Sequence, residues 1–411
     1  MRGHCRRLGS GDVGRRRLQS AAMSAPISEV PGRTVGGRPG PLHIAYLGDA
    51  NSIHFRLWVS YMAARGDRVT LLIADGKEIA PGLPESIAIE RFAPFTSRRF
   101  RPLGVLVARR SLRRVIARVK PDVLNAHYLT VHGYHAWMSG FHPYVTTLWG
   151  SDVFITPKTS RLAALVARIT LRASDMVMVN SEAIRRGAIA IGARPERIEM
   201  IQFGVDLSRF GPGPAPAELR ARLGLEGRRV VFSPRNITPL YRHQVVVEAV
   251  AKLPPDVSVI FSRHRAQEAE VAAIERRVEA LGLSDRVVIV PEIAHDEILD
   301  FYRLSDVVVS IPASDSTPVT VLEALACEKQ VVAGDLPSIR EWLYDLDPEA
   351  LVPIDDVDAT AAALARALNR GPEERAEVGR RARAIVEARA DQAKSLANVE
   401  SLYRRLASRR G

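Results

Sequence analysis

Two carboxylates, Asp315 and Glu323, stand with seven residues between them where the apolar run DVVVSIP gives way to a helical pattern. Pro318 suits a first helical position and Thr317 an N-cap, so a helix start with unpaired N–H groups should open directly beyond a strand. Such a start can hold an anion or sugar hydroxyls. The two acids can each accept hydrogen bonds from hydroxyls of one ligand, and neither needs to act as a nucleophile. Ser316, Thr317 and Val319 border this start and join the binding candidates. Upstream, FSPRNITPLYRHQ puts Arg235 on a loop and Arg242 at the head of the next helix. Fixed positive charge there suits an anionic group of a ligand.

A second group of polar residues lies in the N-terminal half. LGDANSIHFRLW sets Gly48, Asp49, Asn51, Ser52 and His54 just after an apolar run. A glycine there lets backbone approach a ligand, and the polar residues can cap the helix that follows. For Asp49 and Ser52, capping and direct contact are both open. PDVLNAHYLTVHGYHAW puts His127 at the end of a strand, with His132 and His135 nearby. No acidic or cysteine ligand accompanies these histidines and their spacing is not that of a helical zinc pair, so no metal is expected. Ser181 and Glu182 in VNSEAI form an ordinary capping pattern.

These residues need strands and helices to position them. From Leu42 the chain alternates β-branched runs with helical patterns: LHIAYL, RVTLLIA, DVLNAHY, PYVTTLW, DMVMVNS and RIEMIQFG read as strands. After GPGPAPAEL, which reads as a linker, the pattern restarts with RRVVFSPR, VSVIFSR, RVVIVPEI, DVVVSIPA and QVVAG. Alternation of this kind predicts α/β architecture with parallel sheets, here two tandem Rossmann-like, doubly wound lobes with a cleft between them. The expected organisation is a basic leader over 1–40, an N-terminal lobe over 41–212, a C-terminal lobe over 213–385 and a terminal helix over 386–411 that returns to the first lobe. Ligands of open parallel sheets bind at the carboxyl ends of the strands, and the candidates above fall on post-strand loops.

The segment from Ser310 to Leu343 resembles the acidic-x7-acidic motif of the retaining glycosyltransferases of family 4, also called glycosyl transferases group 1, whose fold is of the two-lobed GT-B type. The resemblance covers about 42 to 345. It implies that Asp315 binds donor sugar hydroxyls, that Glu323 binds the nucleotide ribose and that Arg235 faces the diphosphate. Asp replaces the usual Glu of the first position, and Ser316 the glycine that commonly follows. The Lys of the family's loop falls near Tyr241 and Arg242 without a clean match. The resemblance also implies that His127 reaches the donor sugar or the reacting centre. It places Gly48, Asn51, Ser52, His54, Gly150 and Asp152 on the acceptor side, and Gly204 and Asp206 in a segment bordering the cleft. In TTLWGSDVF, Trp149 stands where the family has His.

Bulk properties fit this reading. The chain has 411 residues, 46% hydrophobic and 25% charged, enough for two packed cores. No apolar run approaches the roughly 18 residues that span a bilayer. Cys5 and Cys327 lie far apart, which argues for a reducing compartment and against a disulfide framework. The net charge of +12 is concentrated in the leader and in the block from Arg91 to Lys120, which holds ten basic residues and no acidic one. In that block Leu112, Val115, Ile116 and Val119 fall at helical spacing. Arg109, Arg110, Arg113, Arg114 and Arg118 decorate the rest, a pattern shared by helices on anionic membrane surfaces and by solvated faces of Arg-rich proteins.

The leader also carries Gly9, Gly11 and Gly14 in a GxGxxG spacing, but with no strand before it. Met23 is a second candidate start. The expected activity is transfer of a hexose-type sugar from a nucleotide-sugar to an acceptor with retention of configuration. It needs no metal or other cofactor, in a cytoplasmic enzyme peripheral to the inner face of the membrane. The alternatives are a nucleotide-sugar 2-epimerase of the same fold, or a non-catalytic basic protein binding membrane or nucleic acid. No nucleic-acid motif with interleaved aromatics is present.

Overall fold

The computed structural model describes residues 40–93, 102–294 and 296–409. The leader, with its glycines, Met23 and Cys5, lies outside the described residues, as do Arg98, Arg99 and Arg101 of the basic block. The rest forms two α/β units.

The first unit holds seven strands: β1 His43–Leu47, β2 Arg68–Ala74, β3 Ala88–Phe92, β4 Val123–His127, β5 Tyr144–Thr147, β6 Met176–Val179 and β7 Ile198–Met200. They pair in the order β3-β2-β1-β4-β5-β6-β7, every pair parallel. Successive residues of β1 point to opposite faces, as the two-residue period of a strand requires. Ile44 and Tyr46 join one apolar cluster, Ala45 and Leu47 another. The edge strand β3 was not legible as a strand, because AIERF is mostly exposed and carries charge on both faces. The basic helix Pro102–Val119 spends its apolar stripe on the unit's own core, with Leu112, Val115 and Ile116 buried, while Arg109, Arg110, Arg113 and Arg114 face solvent. Arg118 pairs with Glu90.

The second unit runs from Gly204 to Gln392 and carries β8 Arg229–Ser233, β9 Val257–Ser262, β10 Val287–Val290, β11 Val307–Ser310, β12 Gln330–Gly334 and β13 Leu351–Val352. Their order is β10-β9-β8-β11-β12-β13, again all parallel. Val230 and Phe232 of β8 face one cluster and Val231 the other.

The boundaries differ from those expected. The second unit begins at Gly204, so GPGPAP belongs to it rather than linking to it. Arg303 donates to the Gly211 carbonyl at 3.3 Å and Arg383 to that of Phe210 at 3.2 Å, which ties the segment to second-unit helices. The C-terminal helical stretch breaks at Ala390. Helix Pro372–Arg389 stays with the second unit, while helix Gln392–Ala407 packs Leu396, Val399, Leu402, Tyr403 and Leu406 into the first unit's core.

Candidate functional site

In the second unit the loops after β8 and β11 meet, because these two strands are neighbours in the sheet. Arg235, two residues beyond β8, is only 9% exposed. Its Nε donates to the Ser310 hydroxyl at 2.9 Å, its Nη2 forms an ion pair with Asp315, and its guanidinium lies 4.8 Å over the Tyr241 ring. Asp315 also accepts from the Ser316 N–H at 2.8 Å, and its carbonyl accepts from the Ser338 hydroxyl at 2.9 Å. A charge-assisted pair so enclosed holds both side chains in one geometry.

Glu323 lies in the second turn of helix Val319–Ala326 and is half-buried. The Tyr302 hydroxyl donates to its Oε2 at 2.7 Å and lies 3.2 Å from the Thr320 carbonyl. Burial pushes the Glu323 carboxyl up to about 7, against the opposing pull of the Tyr302 hydrogen bond and the charges of Arg209 and Arg235. Desolvation raises a carboxyl because it penalises the anion.

Two expectations are corrected in this unit. Arg242 does not join the cluster: in a left-handed conformation with φ 48° it donates through Nε to Asp355 at 2.8 Å and through Nη1 to the Pro239 carbonyl. Tyr241 lies against Arg235 instead. Thr317 is not the N-cap, since Pro318 occupies that position and its carbonyl accepts from Val321 and Leu322. Ser316 is held to Asp315, Thr317 is buried, and Val319 opens the helix half-exposed. Tyr302 and Ser310 carry no role in the sequence reading, and Tyr241 enters it only beside the family's Lys position. Ser310, as the last residue of β11, carried the positional signal of a strand end, whereas Tyr302 carried none.

In the first unit the candidates take structural positions at the carboxyl ends of β1, β4 and β5. A Cβ on Gly48 would meet the Phe55 ring at 2.1 Å, so only glycine fits. Asp49 accepts from the Asn51 N–H at 3.0 Å. Asn51 itself clamps the segment opposite, accepting from the Ala80 N–H at 2.8 Å and donating to the Glu78 carbonyl at 3.1 Å. The Ser52 hydroxyl caps helix Ile53–Ala64 through the Phe55 N–H at 3.5 Å, which supports the capping reading. His54 stacks on Phe203 with centroids 5.4 Å apart and stands 5.7 Å from Trp149.

Asp152 is fully buried and holds three N–H groups: Trp149 at 3.0 Å, Gly150 at 2.8 Å and Leu129 at 2.9 Å. Gly150 adopts φ 113°, a conformation that favours glycine. These bonds tie the loop after β5 to the turn after β4, which assigns Asp152 a structural task. Asp152→Ala should destabilise the full chain by about 3 kcal/mol, because it leaves buried donors unsatisfied at about 1–3 kcal/mol each. Urea unfolding measures this, and a loss below about 1 kcal/mol would contradict the assignment.

His127 and His135 are buried and His132 is half-buried, and His132 lies close enough for its charge to act on His127 and for that of His135 to act on it. His127 is 2% exposed inside a ring of aromatics, where burial lowers its pKa to about 3. His135 packs against Phe92, 5.3 Å between centroids, and burial is also the main cause that lowers His132 to about 4. The expected reach of His127 to a ligand is therefore not what this structure holds. Hydrophobic walls on every side of a short strand end account for it, and Phe55, Trp58 and Trp149 give no sequence signal that they gather there.

Residues 43–181 match the family described as Glycosyl transferase 4-like, and residues 217–385 match Glycosyl transferases group 1. The chain is 30% identical over 292 residues to a protein of Kineococcus radiotolerans named D-inositol 3-phosphate glycosyltransferase, covering 62% of this chain and 67% of that one. A protein of the same name from Mycobacterium sp. (strain KMS) is 29% identical over 266 residues, 61% of this chain and 60% of its own length. The match thus spans about three fifths of that relative. Anabaena HepE, solved in complex with UDP and glucose, has the same fold, with a TM-score of 0.72 at 21% identity over 89% of this chain and 100% of that one.

Proposed function

This chain belongs to the glycosyl transferases of group 1, and from that premise we propose that it transfers a hexose-type sugar from a nucleotide diphosphate sugar with retention of configuration. The observation that carries the proposal is the array on the second unit: Arg235 and Asp315 paired on the loops after β8 and β11, with Glu323 in the helix that follows and within reach of the Arg235 charge. In this reading Glu323 accepts from ribose hydroxyls, Asp315 from hydroxyls of the sugar, and Arg235 turns part of its charge towards the departing diphosphate. Asp315 keeps lone pairs beyond those engaged by Arg235 and the Ser316 N–H, so it can take a sugar hydroxyl without leaving its partners. Asp315 and Glu323 both serve binding and orientation, and no side chain of the array is placed as a covalent nucleophile. No metal is required, because the guanidinium supplies the charge.

Thermal unfolding with UDP, GDP, ADP and dTDP, each with and without EDTA, tests the donor half. A ligand confined to the folded state adds about 2.7 kcal/mol at one hundred times its Kd, so one nucleotide class should raise Tm, EDTA should leave that rise unchanged, and Glu323→Ala should abolish it. No rise with any of the four would overturn the reading. HepE was solved with UDP, and D-inositol 3-phosphate is the acceptor in the relatives' name, so UDP-sugars and that acceptor are the first pair to assay.

The exposed arginines of helix Pro102–Val119 support a further part of the reading, contact with an anionic membrane surface. Leu112, Val115 and Ile116 are already buried in the core while Leu106 and Val107 stay exposed, so attachment rests mainly on charge, at about 1 kcal/mol per basic residue near the surface. Full chain should cosediment with phosphatidylglycerol vesicles at low salt and be released at about 0.5 M salt, where screening shortens to a few ångströms. Equal binding to neutral phosphatidylcholine vesicles would refute a charge-based contact. No helix among the described residues is long and apolar enough to cross a membrane.

A further inference from the structure

Neither ring nitrogen of His127 has a hydrogen-bond partner, although the side chain is almost wholly buried. A neutral imidazole carries one N–H and one lone pair, and burying either without a partner costs about 1–3 kcal/mol. Such a group calls for a physical reason. Four aromatic rings enclose it: Tyr46 at 6.0 Å, Phe55 at 5.0 Å, Trp58 at 5.0 Å and Trp149 at 5.7 Å between centroids.

Three of these rings cannot give way. Tyr46 stands in β1, and Phe55 and Trp58 in helix Ile53–Ala64, all at most 2% exposed. Moving any of them would open the close-packed core. Trp149 differs, being half-buried and on the loop after β5. Its main chain is fixed, because Asp152 holds the N–H groups of Trp149 and Gly150. The indole lies on Phe203, 4.8 Å between centroids, and beside His54 at 5.7 Å, so a turn about its own side-chain torsions gives up these two ring contacts while the loop stays in place. The way out of the aromatic box for His127 is past Trp149.

We propose that Trp149 is a movable cover over His127, and that the imidazole meets a ligand only when the indole has turned away. The ligand half of this statement rests on the transferase reading, whereas the cover itself can be examined with no substrate present. The reactive nitrogens of the histidines serve as probes, with diethyl pyrocarbonate as reagent on the full chain and mass spectrometry reading each residue. His142, exposed, sets the fast reference, and His135, 6% exposed in the same unit, the slow one.

In the wild type, His127 should be labelled slower than His142 and faster than His135. Trp149→Ala should raise its rate at least ten-fold, while His135 and the buried His243 of the second unit keep theirs. If those two controls also accelerate, Trp149→Leu, which fills more of the gap, gives the comparison in a better-packed protein. Labelling of His127 as fast as His142 in the wild type would show that nothing covers it. A wild-type rate no faster than that of His135 would show a cover that does not move, and an unchanged rate in both variants a cover formed by other residues. Each of these overturns the proposal. A protein that shows the predicted order yet binds none of UDP, GDP, ADP or dTDP keeps the cover and loses the donor site, so the two failures are distinguishable.

Discussion

Arg235→Ala should lower kcat/KM by about 10³. Removing one group that stabilises charge developing in a transition state costs about 10²–10³, and here the same change also breaks a buried ion pair. Asp315 would be left with its negative charge largely enclosed and without its cation, a loss of about 3–5 kcal/mol in stability when one member of a buried pair is removed. Rate and stability can be separated. In Arg235→Met combined with Asp315→Asn both charges go, so most of the stability should return, since replacing a whole buried pair is often close to neutral. The rate should not return. Arg235→Lys should also fall well short of the wild type, because an ammonium cannot serve Ser310, Asp315 and the face of Tyr241 together. Steady-state kinetics with the donor that raises Tm, beside urea unfolding, measures both. Single-variant activity within ten-fold of wild type would remove Arg235 from the site.

Nucleotide affinity should depend on pH through Glu323. Burial raises this carboxyl from 4.5 to about 7, so near neutral pH it is partly protonated in the folded protein. A protonated carboxyl has lost part of its capacity to accept the ribose hydroxyls, and binding selects the anion. Affinity should therefore rise with pH through about 7 and fall by up to ten-fold for each unit below it. The sign for folding is opposite. A raised carboxyl favours the folded state below the unfolded value of 4.5, and that contribution is lost as pH climbs towards 7. Calorimetric titration with UDP between pH 5.5 and 8.5 tests the binding half. Glu323→Gln should bind more weakly and with a flatter profile, keeping only the part due to the phosphate's own ionisation near pH 6. Superimposable wild-type and Glu323→Gln profiles would refute the assignment. Tyr302→Phe should shift the wild-type profile to higher pH, because its hydroxyl holds the carboxyl down.

Much of this was written in one dimension. The parallel α/β architecture follows from β-branched runs alternating with helical periods, because a strand buried on both faces by helices must be apolar along its length. The ends of those runs mark where loops can meet a ligand; that rule placed Arg235 and Asp315 on such loops, and the spacing and family resemblance of the acidic motif added Glu323 in the helix that follows. The same rule placed His127 at the end of β4, where the folded chain encloses it among aromatic rings. Strand ends are readable from local pattern, but what stacks above a strand end comes from helices and loops far away in the chain.

Pairing and orientation belonged to the tertiary structure. Whether Arg235 or Arg242 faces Asp315 depends on a left-handed turn at Arg242 and on Asp355, more than a hundred residues away, which draws that side chain outward. The role of Asp152 as a clamp on three N–H groups, and the shift of Glu323 towards neutral pH, arise from burial that no spacing records. Sequence by itself determined the class of fold, the strand ends and the chemical types available there, because these follow from short-range periodicity and residue chemistry. Only the folded chain decided which charges meet, which are enclosed and which turn to solvent, because those outcomes depend on desolvation and on partners supplied by distant segments.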